Sequence, residues 1–237
     1  MANPYQVPVA DSAVDARVAF LRNVGGMTLM GLVFASVMSV ASMVAVVAIP
    51  ALQGRWAAIG IMLGAMFGAR FIGDGMVNSP DRTTQLGGFA VGTGLQGIAM
   101  GYLMLAATSL SYELYSNAFL IIGQGLGLVG LTVVGMVAYL LSGPKNLSMI
   151  GGAMAALSLP MLALMVVSFV LPINGPFGIL LSLLFVGLSA GGLLFNLNQV
   201  MHRMSTDMVV PAAYHVTLGM LVLFWNVMTL LMRLQRR

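Results

Sequence analysis

Residues 26–49 read GMTLMGLVFASVMSVASMVAVVAI, twenty-four consecutive positions without a charged side chain. A helix needs about 20 apolar residues to cross the hydrocarbon core of a bilayer. Crossings are helical because every backbone N–H and C=O must be bonded within the segment. Working outward, six further windows meet that length or nearly so: 56–72, 86–108, 117–141, 149–171, 177–195 and 212–234. The breaks carry turn chemistry: Pro50, Gly73-Asp74-Gly75 through Asp81, Ser111-Tyr112-Glu113, Ser142-Gly143-Pro144-Lys145, Pro172 through Pro176, and His202 through Pro211. These loops leave no room for an extramembrane domain, so sequential helices are expected as antiparallel neighbours. The expectation is an all-α polytopic membrane protein with seven transmembrane helices. It divides into an interfacial N-terminal segment, 1–24, and a membrane domain, 25–237.

Composition agrees. Of 237 residues, 59% are hydrophobic and 7% charged, against about 25% charged in a soluble domain; mean hydropathy is +1.00. A soluble enzyme, a nucleic-acid binder and a disordered regulator are excluded. The net charge is +4, from ten Lys and Arg against six Asp and Glu. The basic residues are scattered singly, so no patch tracks phosphates. Cysteine is absent, which removes disulfides, thiolate metal sites and thiol nucleophiles. Two histidines, His202 and His215, are too few for an all-histidine zinc site.

The N-terminus opens polar and lacks the layout of a cleavable signal. Ser12-Ala13-Val14-Asp15 has the form of a capping box, and residues 11–23 read as a short interfacial helix leading into the first span. With the N-terminus inside, the inner loops hold Arg17, Arg22, Arg70, Arg82, Lys145 and Arg203. The outer side then holds Arg55 and the tail Arg233, Arg236 and Arg237. The short-loop rule therefore places the N-terminus in the cytoplasm. The basic tail disobeys it, so the last helix either crosses or is re-entrant.

Glycine is concentrated inside the windows: Gly60, Gly64 and Gly68; Gly88 and Gly92; Gly97 and Gly101; Gly123 and Gly127; Gly187 and Gly191. In lipid, helices associate through close approach over small residues. Internal packing is the expected use of these stripes, with oligomerisation the alternative. Residues 92–97 spell G-x-G-x-x-G, but inside an apolar helix with no strand before it that pattern is not a dinucleotide site. Asn146-Leu147-Ser148 spells a glycosylation sequon on a loop assigned to the cytoplasm.

Ionisable groups at membrane depth are expensive and mark function. With Arg233 counted to the basic tail, the windows place Arg70 and His215 at depth, both near helix ends, and no Asp or Glu. Amides remain: Gln96, Gln124, Asn196, Asn198, Gln199 and Asn226. Gln96 and Gln124 read as interhelical hydrogen-bonders. Asn196, Gln199 and Arg203 fall on one helical face, at i, i+3 and i+7, with Asn198 beside them. Asn226 could join this polar cluster from a central last helix. The alternative is a helix end reaching the headgroups with Arg203 snorkelling.

The run Gly191-Gly192-Leu193-Leu194-Phe195-Asn196-Leu197-Asn198-Gln199-Val200-Met201-His202-Arg203 resembles the sixth-helix signature of the Bax inhibitor-1 family, particularly its bacterial YccA-like branch. Leu21-Arg22-Asn23, residues 146–152, Leu223-Phe224-Trp225-Asn226 and Leu230 through Arg233 are similar in the same order. The similarity runs from about residue 20 onward. It implies a seven-helix bundle with the last helix surrounded by the others, in a bacterial inner membrane. It also implies one of two activities: a pH-sensitive calcium leak, or restraint of the membrane-anchored protease FtsH. The family's leak-competent members pair an aspartate on the sixth helix with one on the last. Here those positions are Asn196 and about Leu223. An amide and a leucine cannot share a titrating proton, and calcium prefers several oxygen ligands with carboxylates among them.

The sequence therefore favours a non-enzymatic accessory or regulatory protein, with the bilayer and another membrane complex as partners and no cofactor, metal or nucleic acid. A cation leak channel is the alternative. Intramembrane catalysis lacks its parts.

Overall fold

The computed structural model describes residues 8–142, 147, 149–152 and 175–236. Six helices in it are long and apolar enough to cross a membrane: α1, Val14–Ala48; α2, Arg55–Val77; α3, Arg82–Tyr115; α4, Leu120–Leu141; α5, Gly175–His202; and α6, Val209–Gln235. The window 149–171 lies almost wholly outside the described residues, as does the 146–152 stretch in part. Among the described residues the only extended pairing is an isolated antiparallel bridge between Pro8 and Ser205.

Three boundaries differ from the sequence reading. There is no separate interfacial helix: α1 runs unbroken from Val14. It buries one stripe along its length, Phe20, Val24, Thr28, Gly31, Ala35, Ser39 and Val46, at the 3- and 4-residue spacing of a single helical face. Nor does Ser12 cap it. Its hydroxyl donates to the Pro8 carbonyl, 3.0 Å, and the N-cap residue is Ala13, without a side-chain bond. Helix α3 continues past Ser111-Tyr112-Glu113 to Tyr115 and stops where Ser116 turns left-handed, φ 53°. Ser111 instead ties the next turn together, donating to the Asn117 carbonyl (2.5 Å) and accepting from Ile121 N–H (3.3 Å). At its other end, Asp81 caps α3 by accepting from the Thr84 hydroxyl and N–H, 2.7 and 2.8 Å. These bonds hold its carboxyl below the ordinary aspartate range.

The third difference has the largest consequence. The second span does not end at Gly73-Asp74-Gly75. An α-helix, Arg55–Gly68, passes into a π-helical turn, Ala69–Gly73, and then into a final α-turn, Asp74–Val77. Glycine next to a charge reads as a loop from sequence, but here both glycines stay helical and Asp74 is carried on the span itself.

The last helix touches every other described helix, the arrangement the resemblance implied. It shares the centre with α3, of whose most apolar stretch 56% is buried, against 39% for α6 and 17% to 28% for the other four. Glycine explains this depth. A methyl group added at Gly97 would lie 2.5 Å from the Ala35 carbonyl oxygen, and one at Gly101 would lie 2.6 Å from Ser42 Cβ. Bare backbone on α3 therefore lets α1 seat directly upon it.

The helix ends sort into two groups. Val9 N–H bonds the Met204 carbonyl, 2.8 Å, so the N-terminal segment, the 203–208 loop and the start of α6 share one end of the bundle. The C-terminal end of α6 lies at the other. There Arg233 donates to the Gly178 carbonyl at the start of α5, and Gln235 donates to Gln124 on α4, 3.0 Å. Helix α6 thus runs the length of the bundle.

Candidate functional site

Tyr214 and His215, in the first turns of α6, face the π-turn of α2. Gly73 and Gly92 present bare backbone to the Tyr214 ring, and its hydroxyl donates to the Ala69 carbonyl, 2.5 Å. Tyr214 is completely buried; its hydroxyl bonds the first carbonyl of the π-turn, where a side chain entering the helical ladder shifts the chain's register. That register sets Asp74 toward α6. Asp74 Oδ1 lies 3.8 Å from His215 Nδ1, and Asp74 Oδ2 lies 3.5 Å from Arg70 Nη1 one turn earlier. Oδ1 is shielded from solvent and has no hydrogen-bond partner among the described residues.

The expectation of spans free of carboxylates is therefore overturned. The acid comes from α2, not from the sixth or last helix, and its partners are a histidine and an arginine rather than a second aspartate. Sequence reasoning assigned Asp74 to a loop and so missed it. The signal that could have found it was apolar residues continuing through Met76 and Val77 beyond the glycines.

Asn196 closes the same site from α5. Its amide Nδ2 reaches the His215 carbonyl at 3.5 Å, the long limit of a hydrogen bond, and sits 3.7 Å from the position a Gly219 Cβ would take. The residues of the last helix that meet Asn196 are thus His215 and Gly219. Leu223, the expected counterpart, is instead in the apolar core, 1% exposed. Arg70, Asn196, Gln199, His215, Asn226 and Arg233 all line one cavity of about 1340 Å³ between α2, α3, α5 and α6.

Of the expected polar cluster, Asn196 and Gln199 share this wall. Asn198 is buried away from it and Arg203 is exposed. Asn226 lines the cavity but stands two turns beyond Gly219, about 10 Å along the axis, so it does not join the cluster. Gln124 bridges helices as expected. Gln96 does not: it lines the cavity, is 3% exposed, and its amide Nε2 has no partner among the described residues. A buried donor left unpaired is costly, so this wall is suited to water or a polar ligand.

The glycines divide. Gly68 packs against Leu95, whose Cδ1 lies 2.9 Å from where a methyl group would go. Around Gly60, Gly64, Gly123, Gly127 and Gly187 no described atom lies within 4 Å of that position, and at Gly191 there is only an ordinary contact with Ile150. Internal packing, expected of all these stripes, is supplied by described neighbours at Gly68 and at the α3 glycines; on α2's outer half and at Gly123 and Gly127 of α4 no described residue supplies it. Among the described residues no cluster of three or more His, Cys, Asp or Glu could hold a metal ion.

No curated protein and no solved structure matches the chain. A family model described as inhibitor of apoptosis-promoting Bax1 matches residues 17–237, nearly the whole length and, but for the first three residues of α1, all six described spans. The buried helical bundle, the polar ending of α5 and the last helix at its centre thus belong to a member of the Bax inhibitor-1 family.

Proposed function

We propose that this chain provides a gated polar pathway through the membrane, closed at its N-terminal end by the contact between Asp74 and His215. That contact carries the reading: a carboxylate on α2 faces an imidazole on the central helix, at one end of a cavity with a polar stripe. The stripe includes Gln199, Asn196, Gln96, Asn226 and Thr229. From His215 to Arg233 the wall follows eighteen residues of α6, about 27 Å at 1.5 Å per residue, close to the roughly 30 Å of a hydrocarbon core. The unpaired Gln96 amide supports a hydrated wall.

The test is ion flux from liposomes containing the purified protein. Asp74→Asn removes the charge that faces the last helix and should raise flux about five-fold or more; His215→Gln should act in the same direction. Wild type and both variants indistinguishable from empty liposomes would overturn the reading. Arg17, Arg82 and Arg203 lie on segments sharing one end of the bundle, which supports an orientation with the N-terminus cytoplasmic; the resemblance to the YccA-like branch supports the inner membrane of a bacterium.

A second reading is favoured by α4. Gly123, Gly127 and Gly130 are exposed and have no described neighbour, a small-residue surface that another membrane helix can approach closely. It supports the accessory role, with FtsH the partner implied by the YccA-like branch. Co-purification of FtsH in mild detergent, abolished by Gly127→Leu, is the expected result; unaltered recovery in that variant would remove α4 from the interface.

A further inference from the structure

The ionisable side chains of opposite sign are distributed unevenly around the cavity. Its wall carries Arg70, His215 and Arg233, and among the described residues no carboxylate. The chain has six acidic residues: Asp11, Asp15, Asp74, Asp81, Glu113 and Asp207. All six are described. Asp74, behind the wall, offsets Arg70 and faces His215. No described acid forms an ion pair with Arg233. Its guanidinium is half-buried and donates to the neutral Gly178 carbonyl. Residues 153–174 contain no ionisable side chain by sequence, so they bring no acid either.

Among the described residues Arg233 is therefore a cation without a paired acid, at the C-terminal end of the cavity. A charge on a partly buried wall repels like charges and attracts opposite ones more strongly than the same charge in bulk water. Arginine on a pore wall is the arrangement used for anion passage. Its planar fork also leaves further N–H donors once one carbonyl is satisfied.

We propose that the cavity admits small inorganic anions in preference to cations, with Arg233 as the residue that sets the selectivity. The proposal rests on the reading of the cavity as a pathway and names what passes. At the Asp74 end the charges nearly balance and close the route; at the Arg233 end the excess positive charge selects what enters. Calcium, which seeks clustered oxygen ligands, meets guanidinium groups at both ends instead.

The experiment uses the full chain in liposomes of neutral lipid, carrying His215→Gln so that the pathway is open while Asp74 still offsets Arg70. Chloride and potassium permeabilities are compared from the reversal potential in a salt gradient, and calcium uptake is followed in parallel. Chloride should dominate. Arg233→Gln should lower the chloride-to-potassium ratio about tenfold, the equivalent of one charge-assisted contact, and Arg233→Lys should restore most of it. Arg236→Gln, on the exposed residue at the same end, should leave the ratio unchanged.

Potassium or calcium exceeding chloride, or a ratio indifferent to Arg233→Gln, would overturn the proposal. Chloride-35 line broadening, measured on the detergent-solubilised protein, separates the two readings. Broadening that disappears in Arg233→Gln without any flux supports the anion site and sinks the pathway. Absence of both flux and Arg233-dependent broadening sinks both.

Discussion

Helices α3 and α4 spell nearly the same small-residue pattern and put it to opposite uses. On α3, Gly88, Gly92, Gly97 and Gly101 are buried, and each has a neighbour where a methyl group would go. On α4, Gly123, Gly127 and Gly130 face outward with no described neighbour, while Gly125 packs inward, against Met228 and Phe224. The two runs cannot be told apart by spacing. What separates them is which face of each helix meets the bundle. In α4 the buried stripe is Ile121, Gly125, Val129 and Leu140, and the four-residue glycine repeat falls on the other side. A glycine motif thus states that close approach is permitted, and leaves open whether anything approaches.

Substitutions can break this comparison. The largest effect is expected at Gly97→Ala, whose methyl would press on the Ala35 backbone, which cannot move aside as a flexible side chain would. Reversible unfolding in detergent–lipid mixtures should show a loss of about 1–3 kcal/mol. A stability equal to wild type would mean that α1 and α3 are not in such close backbone contact. Next is Tyr214→Phe, which keeps the ring between Gly73 and Gly92 but removes the hydroxyl from the Ala69 carbonyl. About 1 kcal/mol should be lost by the same measurement, and the Asp74–His215 spacing should relax, read as faster hydrogen exchange at residues 69–77. The smallest change is expected at Gly127→Ala, where there is open space. Stability should stay within about 0.5 kcal/mol of wild type, with any shift toward greater stability because alanine is the better helix former. A marked loss there would show that α4's outer face is covered by another helix and would move it into α3's class.

The same contrast explains the candidate site. Asn196, Gln199 and His215 were legible as polar side chains in apolar runs, since a group that costs free energy in lipid stands out by composition alone. Asp74 was not. It sits between two glycines, where a local reading of charge and flexibility gives a turn. Only packing keeps that segment helical: Gly73, Gly88 and Gly92 make room, and Tyr214 seals the π-turn. Arg233 was likewise visible as part of a basic tail. Its isolation from the described acids, and its place on the cavity wall, depend on α6 crossing the whole bundle beside α5.

By itself, the sequence determined that the chain lives in lipid, that it is helical, roughly where most of its spans lie, and which family it resembles. These follow from hydrophobicity and from the rule that backbone groups must be bonded internally, both properties of a segment considered alone. Tertiary structure decided the rest: which glycines are covered, that α3 shares the centre with the last helix, that a carboxylate belongs to the second span, and that the described cavity wall carries only basic charge. Each is a relation between segments. In a bilayer, where lipid and protein are nearly equal as apolar surroundings, such relations rest on shape and on a few polar contacts rather than on composition.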